Sequence, residues 1–293
     1  SLEPAMAPLL SIVDRVNNTD PLNISMGNPD LRDSYQLSVS LSTEHFRPHR
    51  SARHNASINY TTIFNQFARG FVYNPATGVR TYKTYNINGN WVLSGNHQYY
   101  SAFGRNNSFR LEVRTTPMYA HSVDLAGAMT EMSGDMPPRR TIGSLSLNEY
   151  VRFNWQAGRN RMSAFTSARV SHYSSSDKGF NNFTSWTCNY GISETLNLPY
   201  EWSLSSDMTL YTRRGFVDSR LNTTDLVWNA RVTKSILKGS FTFALDAYDM
   251  LHQLININYD INAQARTEAV CNVIPAYVLF HVQWRFNKQP KKW

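Results

Sequence analysis

The sequence predicts an all-β protein, a transmembrane antiparallel up-and-down β-barrel. Most of its predicted strands are about ten residues or longer, as crossing a bilayer requires, whereas strands in globular proteins have about 5–6 residues. Apolar and polar side chains alternate along these strands, as they do when each strand has two different faces. Short turns and long polar connections alternate between the strands, which is typical of barrels in outer membranes.

The composition excludes several other classes of protein. Of the 293 residues, 41% are hydrophobic, 13% are aromatic and 17% are charged, and this charged fraction is below the quarter or so of soluble proteins. No run approaches the roughly 18 apolar residues of a spanning helix, and the abundance of aromatic residues argues against disorder. The formal net charge of +8 is spread along the chain, so no nucleic-acid partner is expected.

The chain divides into an entry segment, a long series of strands and a short tail. Residues 1–34 are expected to form an extracellular loop, residues 35–287 the barrel, and residues 288–293 a periplasmic tail. About eleven strands are predicted, spanning 35–46, 53–69, 80–102, 107–121, 141–157, 161–175, 181–197, 202–214, 224–236, 240–249 and 277–286. Barrels of this kind have an even number of strands, which an additional strand in 1–20 or 252–268 would provide.

The closing strand shows the alternation most clearly. Val278, Phe280 and Val282 fall on one face, and Leu279 and His281 fall on the other. In a strand, successive side chains point to opposite faces, so this segment is predicted to separate an apolar medium from a polar one.

The lengths of the connections predict the orientation of the strands. Short turns are centred near 105, 159, 199 and 238, and longer polar connections cover 122–140, 176–180, 215–223 and 250–274. Outer-membrane barrels have short periplasmic turns and long extracellular loops. The last strand then ends on the periplasmic side, where the C-terminus is expected.

The polar face is expected to line the barrel lumen. An arginine on the lipid face costs about 2–4 kcal/mol at the bilayer midplane, so charged side chains should face inward. The exceptions on the apolar side are Glu149, Glu194 and Lys234. The predicted lumen residues, which would contact a plug or a substrate, are Arg110, Glu112, Arg114, Arg152, Arg169, Asp207, Arg213, Arg231, Asp246 and Arg285.

Aromatic residues are expected to face the lipid or its interface with water. Such residues form girdles at both edges of a membrane barrel. A soluble β-sandwich would show the same alternation with its tryptophans in the core, so alternation alone does not separate these folds. The predicted lipid-facing or interfacial residues are Trp155, Trp186, Trp202, Trp228, Trp284 and Phe286.

Two segments and the closing strand carry a resemblance to a known family. Residues 20–31 contain Gly27, Asn28, Pro29 and Leu31 in the spacing of a segment of TonB-dependent receptors, within the outer-membrane β-barrel family of Bacteroidota. Residues 249–253 are similar to the "D-x-L-N-Q" end of a late strand in that family, with His252 in place of asparagine. Residues 277–286 resemble its C-terminal strand.

The resemblance implies a location, a function and a set of partners. Receptors of this kind take up scarce nutrients by energised transport across the outer membrane of Gram-negative bacteria, and their barrels close about 22 strands around a plug. The present chain would then be the second half of a barrel, with the plug, the remaining strands and outer-membrane lipid as partners. TonB would bind through the missing N-terminal part. The ligand would be a small-molecule or oligomeric nutrient, and the lumen arginines would bind plug carboxylates or an anionic substrate.

Three alternatives remain open at the level of sequence. The chain could be a small complete barrel, a passive porin-like or structural barrel, or a soluble secreted β protein that binds carbohydrate. A plug domain encoded upstream would favour the receptor, and solubility without detergent would favour the secreted protein.

No sequence motif indicates an enzyme, a cofactor or a metal site. Phosphate-binding loops, HExxH, GxSxG and paired-cysteine zinc motifs are absent from the sequence. His45, His49 and His54 lie close together, but their spacing matches no known metal site, and we interpret them as solvated turn residues. Cys188 and Cys271 are distant in sequence and are either a disulfide or two unpaired residues.

Overall fold

The computed structural model describes residues 1–48, 51–128, 136–175, 180–254, 256–261, 266–272, 274 and 276–286. This part of the chain contains one short α-helix, α1, three 3-10 turns and eighteen strands. Their bounds are β1 Leu2–Ala5, α1 Leu9–Ile12, β2 Val16–Asn17, β3 Asn23–Met26, β4 Ser34–Arg47, β5 Ala52–Phe64, β6 Gln66–Tyr73, β7 Arg80–Ile87, β8 Asn90–Phe103, β9 Phe109–Ala128, β10 Arg139–Ala157, β11 Asn160–Ser175, β12 Phe183–Leu198, β13 Trp202–Arg214, β14 Thr224–Ile236, β15 Phe241–Tyr248, β16 Asn256–Ile261, β17 Arg266–Cys271 and β18 Tyr277–Trp284.

Twelve of these strands form one antiparallel main sheet. Its order is β1-β4-β5-β8-β9-β10-β11-β12-β13-β14-β15-β18, so the strands are joined up and down. This confirms the predicted all-β, antiparallel up-and-down fold. Among the described residues β1 and β18 do not pair with each other, so the sheet is open and barrel closure stays a prediction. The predicted tail 288–293 lies outside the described residues.

Two elements occupy the places where an additional strand was considered. β1 lies within residues 1–20 and pairs with the start of β4, where Leu2 lies opposite Leu37. β16 and β17 form a separate antiparallel hairpin within the long connection after β15. The expected loop 1–34 therefore contains β1, β2 and β3, because backbone pairing with β4 and β7 orders this segment.

Two predicted strands are each divided by a backbone bend. The segment 53–69 becomes β5 and β6 at Asn65, and the segment 80–102 becomes β7 and β8 near Gly89; these two residues have φ angles of 52° and 115°. The Asn88 side chain accepts a hydrogen bond from the Asn65 backbone N–H at 2.8 Å, which joins the two bends. Beyond them, the β6–β7 hairpin leaves the main sheet.

The β6–β7 hairpin is the centre of a second, small sheet. β3 pairs in parallel with β7, and the end of β9 pairs in parallel with β6. This small sheet lies at the end of the main sheet that carries the long connections, which we call the long-loop end. The opposite end, where residues 104–108 and 158–159 join the strands, is the short-turn end.

The hydrophobic core lies in this small sheet and the strand ends beside it. Leu125 of β9 is completely buried, and it packs in one cluster with Ala68, Tyr85, Ile87 and Val123. The main sheet is different, because large apolar side chains along it are exposed, with Leu41 at 72% and Phe280 at 66%.

The strand registers place the apolar side chains of neighbouring strands on one continuous face. Val151 lies opposite Val113, and Leu204 lies opposite both Leu196 and Val232. Because directly opposed residues in a sheet share a face, the alternation continues across the strands. We call this side the apolar face and the other side the polar face.

Candidate binding site on the polar face

A depression on the polar face lies at the short-turn end, where β8 to β12 run side by side. Its volume is about 730 Å³, within the range of small-molecule sites. We call it the trough. It is lined in part by Tyr100, Arg110, Asn154, Arg161 and Phe165.

A glycine fixes the position of the aromatic ring at the floor of the trough. Phe165 lies opposite Gly191 across the β11–β12 pairing, and a Cβ atom on Gly191 would overlap the Phe165 ring. Aromatic rings commonly cover glycines in sheets in this way. The ring therefore lies against the strand instead of projecting into solvent.

Arginine side chains give the trough a positive charge. The Arg152 guanidinium lies 5.4 Å from the Tyr150 ring centroid and 5.7 Å from that of Phe165, at distances typical of cation–π contacts. Its Nε atom is buried without a hydrogen-bond partner in the described structure. With Arg110 and Arg161, three arginines line the trough against one carboxylate, that of Glu194, so positive charge prevails and anionic groups fit this site.

A second depression of about 530 Å³ adjoins the trough at Tyr100, which lines both. It includes Arg53, whose Nε lies 3.3 Å from Glu44 Oε1, and Asn55, whose Oδ1 is buried and lacks a partner among the described residues. Polar groups without partners in both depressions are free to bind a ligand that supplies complementary donors and acceptors.

A buried ion-pair cluster joins the last three strands of the main sheet. Asp246 of β15 is 1% exposed, and its carboxylate accepts hydrogen bonds from Nε and Nη2 of Arg231 on β14. His281 Nε2 of β18 lies 2.7 Å from the same carboxylate. We call these three residues the Asp246 clamp, since they tie β14, β15 and β18 together.

The structure distributes the predicted lumen residues along the polar face. Arg110 and Arg152 line the trough, and Glu112 lines the second depression beside its ion-pair partner Arg114, at 2.9 Å. The others are spread over the remaining strands: Arg169 on β11, Asp207 bound to Asn229, Arg213 paired with Asp225, Arg231 and Asp246 in the clamp, and Arg285 just after β18.

Sequence reasoning missed the aromatic residues of the trough. Tyr100 and Phe165 lie at strand positions that face the polar side of the sheet. Phe165, for example, lies opposite Arg152. A large aromatic side chain at a polar position is the signal that could have indicated them.

The predicted interfacial residues lie at different heights on the apolar face. Trp155, Trp202 and Trp284 lie close to the short-turn end, and the rings of Trp284 and Phe286 are 5.8 Å apart. Trp186 lies near the other end of its strand. Trp228 is in the interior of β14, where its Nε1 donates to Ser206 Oγ, so the expectation of a position near a strand end does not hold for it.

Of the charged residues on the apolar side, Lys234 has contacts that account for its position. It lies 5.1 Å from the Trp202 ring centroid and donates to the carbonyl oxygen of Tyr200. Glu194 lies opposite Met162 near the short-turn end, and Glu149 lies opposite Thr115 and Ala168 in the sheet interior. Nothing in the structure explains the position of Glu149.

The segment around Asn28 binds the edge of the small sheet. Asn28 is buried, its Nδ2 donates to the Thr84 carbonyl at 2.8 Å, and its Oδ1 accepts from Asp30 N–H at 3.2 Å. A Cβ on Gly27 would collide with the Val13 carbonyl. The glycine and asparagine of this motif thus hold the N-terminal segment against β7.

The segment around Asp249 covers the long-loop end of β14. Met250 N–H donates to the Trp228 carbonyl, and the Gln253 side chain accepts from Leu226 N–H at 2.8 Å. The buried Asp249 carboxylate accepts from the backbone N–H groups of Gln253 and Leu254, at 3.0 and 2.9 Å. This motif therefore continues the β14 ladder by means of a turn.

Replacing Asp249 with alanine is expected to lower the free energy of unfolding by about 1–2 kcal/mol, because two backbone N–H groups lose their buried acceptor. Chemical denaturation measures the loss, and amide exchange should accelerate at Gln253 and Leu254. The control is Asp20→Ala, which removes a similar but exposed cap on Leu22 N–H and should cost less. Equal losses in the two variants would contradict this role.

The described residues contain no group of three or more histidine, cysteine or acidic side chains able to hold a metal ion. His45 and His54 lie opposite each other in β4 and β5, so their interpretation as turn residues is wrong; both fall within the predicted strands 35–46 and 53–69. His49 lies outside the described residues. Cys188 is unpaired.

Comparison with known proteins gives no relative. No family model, curated protein or solved structure matches the chain. No helix among the residues that the structure describes is long and apolar enough to cross a membrane.

Proposed function

We propose that the chain supplies strands of the outer-membrane β-barrel of a TonB-dependent receptor, which takes up a nutrient by energised transport. The observation that carries this proposal is the apolar face, which continues across the main sheet opposite a face that bears arginine, aspartate and amide side chains. Transmembrane barrels place these two kinds of face toward lipid and lumen.

The exposure of the apolar face supports lipid as its solvent. Soluble monomers rarely expose contiguous apolar patches larger than a few hundred Å². Here Leu41, Leu145, Ile192 and Phe280 are each at least 43% exposed, on strands spread from one side of the main sheet to the other. Contact with acyl chains removes this surface from water without a second protein layer.

The two open edges of the main sheet support its place in a larger barrel. β1 and β18 each have a neighbour on one side only among the described residues. In hydrocarbon every backbone N–H and C=O group must be paired within the protein. Further strands between these edges would pair the backbone N–H and C=O groups of both. Such strands are expected if the chain is the second half of a larger barrel.

The trough supports a role in binding inside such a barrel. Its arginines lie on the polar face beside Tyr100 and Phe165, so they would face the lumen, where a plug or a passing nutrient lies. Carboxylates are the natural partners of guanidinium groups, since both form two parallel hydrogen bonds. Plug carboxylates and anionic nutrients are therefore the ligands that fit.

Insertion into a bilayer tests the proposal. We expect vesicles with brominated acyl chains to quench the fluorescence of a variant that retains only Trp202. In the matched control, Trp202→Phe with Ser203→Trp moves the indole by one residue to the polar face, and quenching should largely disappear. Equal quenching of the two variants, or a chain that stays in buffer, would contradict the proposal. A stable ion conductance from the chain alone would instead favour the passive pore.

A further inference from the structure

The apolar face changes its character at the short-turn end of β4 and β5. On β8, β9, β10, β13, β15 and β18 this end carries aromatic residues, namely Phe103, Phe109, Phe153, Trp155, Trp202, Phe241 and Trp284. On β4 and β5 the corresponding positions are held by Arg47, His45 and His54, with His97 on β8 beside them. We call these four residues the β4–β5 corner.

The strand registers place the corner on the apolar face. Arg47 and His45 follow Leu41 at intervals of two along β4, and Leu41 lies opposite Ile58. Arg47 Nε donates to His45 Nε2 at 3.2 Å. The centroid of the His54 ring lies 4.6 Å from that of Tyr99, with the two rings tilted by 38°, and 6.0 Å from that of His97. The side chains thus form one connected polar patch beside exposed apolar residues.

In the part of the chain that the structure describes, the guanidinium of Arg47 binds neither a carbonyl oxygen nor a carboxylate. Elsewhere on the apolar side, Lys234 donates to the Tyr200 carbonyl, and Arg214 donates to carbonyl oxygens of the chain, including that of Thr223 at 2.7 Å. Arg47 instead donates to an imidazole. Among the described residues no carboxylate forms an ion pair with the corner, and Glu44 is engaged by Arg53 on the polar face.

Apolar side chains continue from the corner toward the long-loop end. Val39 and Leu41 on β4 are 56% and 72% exposed, and Ile58 on β5 is 57% exposed. A ligand that fits both parts has an anionic group at the short-turn end and long hydrocarbon chains that follow the strands. A phospholipid has this shape.

We propose that the β4–β5 corner binds the phosphate of a phospholipid headgroup, with the acyl chains lying along Leu41 and Ile58. The inference rests on the proposed function, because it requires the apolar face to lie in a bilayer. The guanidinium of Arg47 matches phosphate geometry and is less strongly hydrated than an ammonium group. With Nε2 of His45 accepting from Arg47, its other ring nitrogen carries an N–H that can donate, and the His54 ring supplies a further N–H donor.

Retention of defined lipids by the full chain tests this site. The chain is purified in a neutral detergent and titrated with dioleoylphosphatidylglycerol, with dioleoylglycerol, or with inorganic phosphate, and bound lipid is counted by native mass spectrometry. We expect selective retention of the phosphoglyceride. The double variant Arg47→Gln with His54→Gln should bind it about tenfold more weakly, because charge-assisted hydrogen bonds are lost.

Two comparisons make the test specific. Arg159→Gln removes the same charge from a short turn at the same end of the sheet and should leave lipid retention unchanged. His45→Gln should weaken lipid retention less than the double variant does. Circular dichroism checks that each variant is folded. Equal retention of dioleoylglycerol, or equal binding of free phosphate, overturns the inference, as does an equal loss in Arg159→Gln.

The outcome separates this inference from the proposed function. If brominated lipids quench Trp202 but the phosphoglyceride is not preferred, the corner is not a headgroup site and the membrane assignment stands. A chain that ignores bilayers altogether overturns both.

Discussion

Replacing Arg231 with leucine is expected to lower the free energy of unfolding by about 3 kcal/mol, because it leaves the carboxylate of Asp246 buried without its main partner. Asp246 is 1% exposed, whereas the Arg231 side chain is about half exposed, so water cannot replace the lost hydrogen bonds at the acid. Among the described residues, His281 is the remaining ion-pair partner of the carboxylate. Denaturant titration in micelles, followed by tryptophan fluorescence, measures the change.

A second substitution in the Asp246 clamp should restore most of the lost stability. Arg231→Leu combined with Asp246→Leu removes the buried charge as well as its partner, and such paired replacements are often neutral or stabilising. Arg169→Leu is the matched control, since Arg169 lies on the same face outside the clamp and should cost less than 1 kcal/mol, roughly as a surface substitution does. A loss in Arg231→Leu no greater than in this control would show that the clamp does not hold β14, β15 and β18 together.

Replacing Ile192 with arginine is expected to destabilise the chain in a bilayer by up to about 2–4 kcal/mol, the cost of an arginine on the lipid face at the midplane, which falls toward the interfaces. Ile192 lies on the apolar face in the interior of β12 and is 43% exposed. Its neighbour Ser193 lies on the polar face opposite Asp207, so Ser193→Arg places the same side chain beside a carboxylate and should be nearly neutral. Equilibrium folding into vesicles compares the two variants.

The same pair of variants distinguishes a membrane sheet from a sheet that meets water on both faces. In water, the arginine side chain at position 192 would be exposed and hydrated. Ile192→Arg would then be no less stable than Ser193→Arg. Such a result would contradict the assignment of the apolar face to lipid.

The strands of the main sheet could be predicted because their signal is local. Alternation with a period of two depends only on neighbouring residues, and adjacent strands in the chain are also adjacent in the sheet. The predicted strands 141–157 and 202–214 therefore agree closely with β10 at Arg139–Ala157 and β13 at Trp202–Arg214.

The remaining features depend on contacts between distant segments. β1 and β3 are ordered by pairing with β4 and β7, and neither has an alternating pattern long enough to be recognised. The bend at Asn65 depends on the side chain of Asn88. In the trough, the position of Phe165 depends on its register against Gly191, and a register between strands is not encoded in either strand alone.

The small sheet has a consequence for how the molecule would assemble. Its apolar cluster around Leu125 is buried between the β6–β7 hairpin and the part of β9 that also pairs with β10, so its surface is removed from water within the protein, whereas the exposed side of the main sheet is not. Under the proposed function, the small sheet would form before insertion, and hydrocarbon would be needed only for the strands of the main sheet. One polypeptide would then consist of two parts that mature in different solvents, joined at the hinge between Asn65 and Gly89.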